Sequence, residues 1–166
     1  LITLSRFLIK DQQIYTYENR IGACALTNKG AQYLTVKLNN HKDLNIINTH
    51  LQSSHHNYFQ DFQHVTFKQI KELIENCPFN DFVVTGDLNL DYNYLKNNLK
   101  GEINFFKNYK RIITCPYSQE HLDHFLYKGV YNLLTENKII DIHNSDHLPF
   151  ILTINLRSII SYNFLS

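Results

Sequence analysis

Between residues 59 and 77 apolar side chains recur at every third or fourth position: Phe59, Phe62, Val65, Phe67, Ile70, Leu73, Ile74 and Cys77. This spacing predicts a helix with one apolar stripe. Pro78 ends it, because proline lacks an N–H and clashes with the preceding turn. The pattern is different on either side. Residues 44–49 (LNIINT) and 82–85 (FVVT) are apolar runs of strand length, the second fitting a fully buried strand. Strand, helix, strand predicts an α/β layered protein with a helix covering the sheet.

Elsewhere the pattern predicts strands over residues 1–9, 21–27 (IGACALT) and 33–38 (YLTVKL), the last two joined through NKGAQ as a hairpin. Residues 39–43 are polar and turn-like. Residues 92–99 read as a short helix and 103–113 are ambiguous. Residues 122–126 and 131–134 read as short strands, and 148–156 as a strong one despite Pro149. One domain over 1–157 accounts for the chain, with 158–166 as an unassigned tail.

Composition narrows the partners. At 43% apolar and 19% charged residues, the 166-residue chain can bury one sizeable core. A net charge of +1 gives no electrostatic case for nucleic acid. KNYKR, residues 107–111, is the one short basic cluster, and it reads as a solvated face. The cysteines, Cys24, Cys77 and Cys115, are odd in number and lack metal-ligand spacing. Cys24 and Cys77 read as buried thiols. No run reaches membrane-spanning length and residues 1–9 do not make a signal peptide, so the compartment stays open. Tyr58, Phe59, Tyr92, Tyr94, Phe105 and Phe106 suit an apolar rim beside a site, and suit ordinary core better. There is no methionine, even at position 1; the chain reads as a segment of a longer one.

Polar groups collect where the predicted strands end. DFVVTGDLNLDYN sets Asp87 and Asn89 two residues apart after an apolar run, a pattern that serves a turn as well as a metal site. His50 closes NTH, Asp123 opens a strand in HLDHF, and Asp146 and His147 precede the last strand. Together they suit phosphoester hydrolysis. Carboxylates and carboxamides are the oxygen ligands that a hard cation takes. A histidine oriented by a carboxylate is a general base; His147 would be that base and Asp123 its partner, with Asp146 turned toward metal or water.

NTHLQSS, VVTGDLNLD, LDHFLY and SDHLPF, in this order, resemble the endonuclease/exonuclease/phosphatase superfamily, with its DNase I-like fold. THLQ, the opening LSRF and NKGAQYLTVKL are most similar to the neutral sphingomyelinase branch. The resemblance runs from Leu1 to about Leu156. It implies a layered α/β (α+β) sandwich, a four-layer fold of two mixed sheets flanked by helices, incomplete at the N-terminus. It also implies a Mg2+- or Mn2+-dependent phosphodiesterase in which Asp87 and Asn89 handle metal, nucleophile and phosphate. His50 would sit by the scissile phosphate, Asp146 at the metal, and Asp123 behind the base His147. The implied substrate is a phospholipid such as sphingomyelin, met by peripheral contact with a membrane surface. A nuclease of the superfamily and a non-catalytic remnant stay open as alternatives. The sequence departs from the family at Thr66, where an arginine often stands, and lacks the upstream asparagine and the QE glutamate that binds metal. The piece alone is therefore expected to be inactive. Oligomerisation is left undecided.

Overall fold

The computed structural model describes residues 1–39, 42–53, 59–99, 101–106, 110–129, 135–140 and 145–154. Six strands form the main sheet: β1 (Leu8–Thr16), β2 (Gly30–Asn39), β3 (Lys42–His50), β4 (Phe82–Asp87), β5 (Asn104–Phe105) and β6 (Asp123–Lys128). Their order across the sheet is β1-β2-β3-β4-β6-β5. Two further strands, β7 (Thr135–Ile139) and β8 (Phe150–Ile154), make a separate antiparallel pair.

The predicted strand-helix-strand unit is present. Helix α1 (Phe59–Glu75) links β3 to β4, which lie side by side and parallel. Such a connection suits a parallel pair because the chain must return to the same sheet end before it runs forward again. In β4, Phe82, Val83 and Val84 are all buried, and successive side chains point to opposite faces. Phe82 and Val84 pack with Tyr33, Ile47 and Leu126 against Ile70 and Leu73 of α1. Val83 joins a second cluster on the other face, with Phe125, Tyr127 and with Phe150 and Leu152 of β8. A short helix α2 (Tyr92–Asn98) adds buried Leu95 to the first cluster and is capped by Asp91, whose carboxylate accepts from the Asn93 N–H at 3.0 Å. The result is helix, sheet, sheet: the layered α/β sandwich predicted, with two sheets and flanking helix.

Several local expectations are corrected. Residues 21–27 form no strand; Gly22–Leu26 is a 3-10 helix. Gly22 starts it at φ 56 and Leu26 is 90% exposed, so the run has no buried face to alternate toward. Besides β3, β2 therefore pairs with β1, which starts at Leu8 and ends at Thr16, beyond the predicted 1–9. Its KDQQ centre is exposed, and an edge strand of this kind carries little alternation. β7 was not anticipated, and its TENKI sequence offers a weak pattern. The strand expected at 131–134 and the tail lie outside the described residues, as do residues 40 and 41 of the turn expected over 39–43, whose other residues belong to β2 and β3. Cys24 and Cys77 are half-buried, while Cys115 is the buried thiol. Of the aromatic residues considered for a lipid rim, Phe106 is buried, Tyr92 packs edge-on to Phe105, and Tyr94 packs on Phe67. Tyr58 and the side chain of Phe59 are not among those described.

Candidate active site

Three polar residues stand in a row across the sheet. His50 lies opposite Asp87 on the β3–β4 pair, and Asp87 lies opposite Asp123 on the β4–β6 pair. Directly opposed residues project from the same face, roughly 5 Å apart between adjacent strands. The row falls where β3 and β4 end and β6 begins. Register therefore gathers groups that are far apart in sequence, and pairing slipped by one residue would turn each of them to the other face.

Gly86 lets β3 and β4 come this close. Its φ of +128 is disfavoured for L side chains, and a Cβ there would lie 1.9 Å from the Thr49 carbonyl oxygen. Thr49 is buried and its hydroxyl meets that of fully buried Tyr17 at 2.6 Å.

His147 comes to this row from the segment leading into β8. Its Nδ1 and Asp123 Oδ2 are 2.6 Å apart, a length typical of a charge-assisted bond. The carboxylate makes Nδ1 the protonated nitrogen and turns Nε2 toward Asp87 Oδ2, 3.9 Å away. His50 Nε2 approaches the same oxygen at 3.5 Å. Asp87 thus sits between two imidazoles and beside a second carboxylate. Burial, together with the Asp123 charge, raises its pKa to about 6. Burial pulls His147 down, but the Asp123 carboxylate and the Asp87 charge outweigh it and leave its pKa above the ordinary value. His50 goes the other way: desolvation, then the neighbouring Lys29 and His147, lower it to about 4. At neutral pH, His50 is an uncharged imidazole.

The Asp87/Asn89 segment contains the turn as well as the ligands. Asp87 Oδ1 accepts from the Asn89 N–H at 2.9 Å, while Asn89 takes a left-handed φ of 50. Asn89 is buried, and its side-chain amide donates to the Leu51 carbonyl at 3.1 Å. Lys29, which the sequence reading passed over, donates its Nζ to that same carbonyl at 3.0 Å. Half-buried Lys29 and His50 line a cleft of about 220 Å³ with Thr27, Asn28, Gly30 and Leu1. A second cavity, about 340 Å³, opens at Asp123 and His147 and is walled by Thr85, Phe125, Leu148 and Phe150.

Asp146 is the member of the predicted set that stands apart. It is exposed, with its carboxylate accepting from the Ser145 hydroxyl at 3.2 Å. Among the described residues, no three His, Cys, Asp or Glu side chains converge as a metal cage. The donors nevertheless fit an open site. Magnesium is commonly held by one or two carboxylates, with water and substrate phosphate completing the shell. Asp87, crowded by Asp123, has negative charge that a cation would relieve. The arrangement offers a polarised base, a neutral imidazole donor, a half-buried ammonium and hard oxygen ligands at one end of the sheet.

No protein-family profile and no curated protein sequence matches the chain. Solved structures do. Sphingomyelinase C from Streptomyces griseocarneus superposes with a TM-score of 0.70 at 17% identity, over 91% of this chain and 66% of that one. Beta toxin 275-280 from Staphylococcus aureus gives 0.67 at 22% identity, over 90% of this chain and 65% of the other. An endonuclease/exonuclease/phosphatase from Beutenbergia cavernae DSM 12333 gives 0.70 at 14% identity, over 92% and 46%. The chain thus spans less than two thirds of the length of these three structures, and it shares their fold.

Proposed function

We propose that the natural protein hydrolyses a phosphodiester by attack of water on phosphorus, with a phospholipid of the sphingomyelin type as substrate. The observation that carries this reading is the His147–Asp123 pair, 2.6 Å between Nδ1 and Oδ2, with Nε2 facing the His50–Asp87 row. His147 Nε2 takes a proton from water as the new P–O bond forms. The bond to the leaving alkoxide breaks on the opposite face, where that oxygen takes a proton from solvent, and the imidazolium releases its own proton to solvent. Asp123 holds the tautomer and stabilises the imidazolium. His50, neutral, donates a hydrogen bond to the phosphoryl oxygens, and Lys29 adds positive charge on the same side. Asp87, Asn89 and, at the rim, Asp146 would hold a Mg2+ or Mn2+ ion. Bound there, the ion would supply Lewis-acid charge to the phosphate.

The lipid substrate is supported by the likeness of the fold to a sphingomyelinase C and by a solvent-facing cavity with two phenylalanine walls. Of the basic residues, Arg111 is paired with Asp91 at 3.1 Å and Lys71 with Glu102, which leaves less positive charge for a duplex. No described helix is long and apolar enough to cross a membrane, so the proposed contact with lipid is peripheral.

The test is turnover of sphingomyelin in vesicles, of bis(p-nitrophenyl) phosphate and of duplex DNA by the natural protein and by its His147→Ala variant. Sphingomyelin turnover that falls at least ~100-fold in the variant is the expected result. DNA cleavage without lipid turnover would make the protein a nuclease. No turnover of any substrate would leave a non-catalytic remnant.

A further inference from the structure

We propose that Gln69, on α1, is a positioning residue for this site. It orients the Leu51–Gln52 peptide, and through that peptide it sets where Lys29 and Asn89 point. Gln69 is fully buried on the stripe that also carries Ile70 and Leu73, where an apolar side chain would pack without needing partners. Its carboxamide spans two loops. Oε1 accepts from the Gln52 N–H at 2.7 Å, and Nε2 donates to the Asn19 carbonyl at 2.6 Å. One helical step away, Thr66 donates its hydroxyl to the Gln52 carbonyl at 3.1 Å. Residues three apart share a helix face, so α1 holds Gln52 by both its backbone groups.

The link to chemistry lies in one peptide plane. The N–H taken by Gln69 and the Leu51 carbonyl belong to the same peptide unit, which is rigid. That carbonyl accepts both Lys29 Nζ at 3.0 Å and the Asn89 side-chain amide at 3.1 Å. A plane released at its N–H edge can turn, and its carbonyl edge turns with it. Gln69 touches none of the reacting groups, yet it fixes the acceptor that two of them share. Leu51 also donates its own N–H to the Asp87 carbonyl at 3.0 Å, which anchors the other end of the residue to β4.

The kinetic part of this inference rests on the phosphodiesterase reading; the spectroscopic part does not. Gln69→Met keeps the volume and removes both hydrogen bonds. Leu73→Ala, one turn along the same buried stripe, lowers stability without touching Gln52 and serves as the control. Both are compared with the unmodified protein well below their melting temperatures. The Asn89 side-chain amide should shift in the NMR spectrum of Gln69→Met and exchange with solvent about 10-fold faster or more. It should be unchanged in Leu73→Ala. Turnover of sphingomyelin by Gln69→Met should fall about 10-fold or more in kcat, with KM held within about twofold. If Gln69→Met does not fold, Gln69→Glu carries the comparison. It keeps an acceptor for the Gln52 N–H and should preserve the Asn89 signals. Asn89 signals that stay put in Gln69→Met, that move equally in Leu73→Ala, or that are lost in Gln69→Glu overturn the proposal. A protein with no turnover defeats the functional reading, while the Asn89 signals still decide this one.

Discussion

Acid should destabilise this protein through His124, a residue that needs no substrate to report on it. His124 lies next to Asp123 on β6 and is fully buried. Its Nε2 is 2.8 Å from the Leu90 carbonyl, so that nitrogen carries the proton. Nδ1 is buried without a hydrogen-bond partner, and the His121 and His124 rings stack with their centroids 4.5 Å apart. Desolvation first, then the His121 charge, lower the His124 pKa to about 3, against 6.5 for the unfolded chain. The unfolded state therefore binds more protons between those values. The stability contributed is complete above 6.5 and is lost as pH falls toward 3. The slope is about 1.4 kcal/mol per pH unit for one group. From pH 6.5 to about pH 5 the loss is about 2 kcal/mol, a large share of a typical domain's stability. Other groups titrate in the same window. His121 and His50, both lowered to about 4, add to the loss, whereas Asp87, raised to about 6, opposes it. The assay is urea unfolding at both pH values for the unmodified protein and for His124→Gln, which keeps a donor for Leu90 and cannot titrate. The difference between the two losses cancels the shared groups and should be about 2 kcal/mol. Parallel losses in the two proteins would show that His124 is solvated, and would refute the reasoning.

Gly86→Ala should cost about 3 kcal/mol or more, because the new Cβ meets backbone rather than a movable side chain; a urea midpoint close to the original would mean the strand pair opens easily. In the pH profile of kcat/KM, activity should rise with pH through a midpoint above 6.5, since His147 acts as the neutral form and its pKa is raised. Asp123→Asn should lower both that midpoint and the plateau, and an unmoved midpoint would assign the limb to another group. Chelation with EDTA should stop turnover and added Mg2+ or Mn2+ should restore it; full rate in chelator removes the metal from the mechanism.

The parts of the fold that the sequence revealed are those buried on one regular face. Helix α1 and strands β3 and β4 show clear periodicity because each packs on a continuous core. β1 is exposed along most of its length, and the Gly22–Leu26 turn of 3-10 helix buries little, so apolar residues there followed no template. At the site, strand ends identified His50, Asp87, Asn89 and Asp123, and the loop before β8 supplied His147. Lys29 escaped notice, and Gln69 stood out only as the glutamine three residues after Thr66 in the family pattern, because a buried polar residue within an apolar stripe looks like a surface position. Both become visible only when Leu51 is known to lie between them.

The order β1-β2-β3-β4-β6-β5 also bears on how the protein folds. His50 and Asp87 meet only after the α1 crossover has closed, and Asp123 joins only when β6 docks beyond β4. Such non-local closures are slow relative to hairpins such as β1–β2 and β2–β3. The hairpins can therefore form early while the histidines and carboxylates are still distant from one another. A signal from the His147–Asp123 pair would then time the last stage of folding, and a nascent chain would carry no assembled site until β8 had emerged.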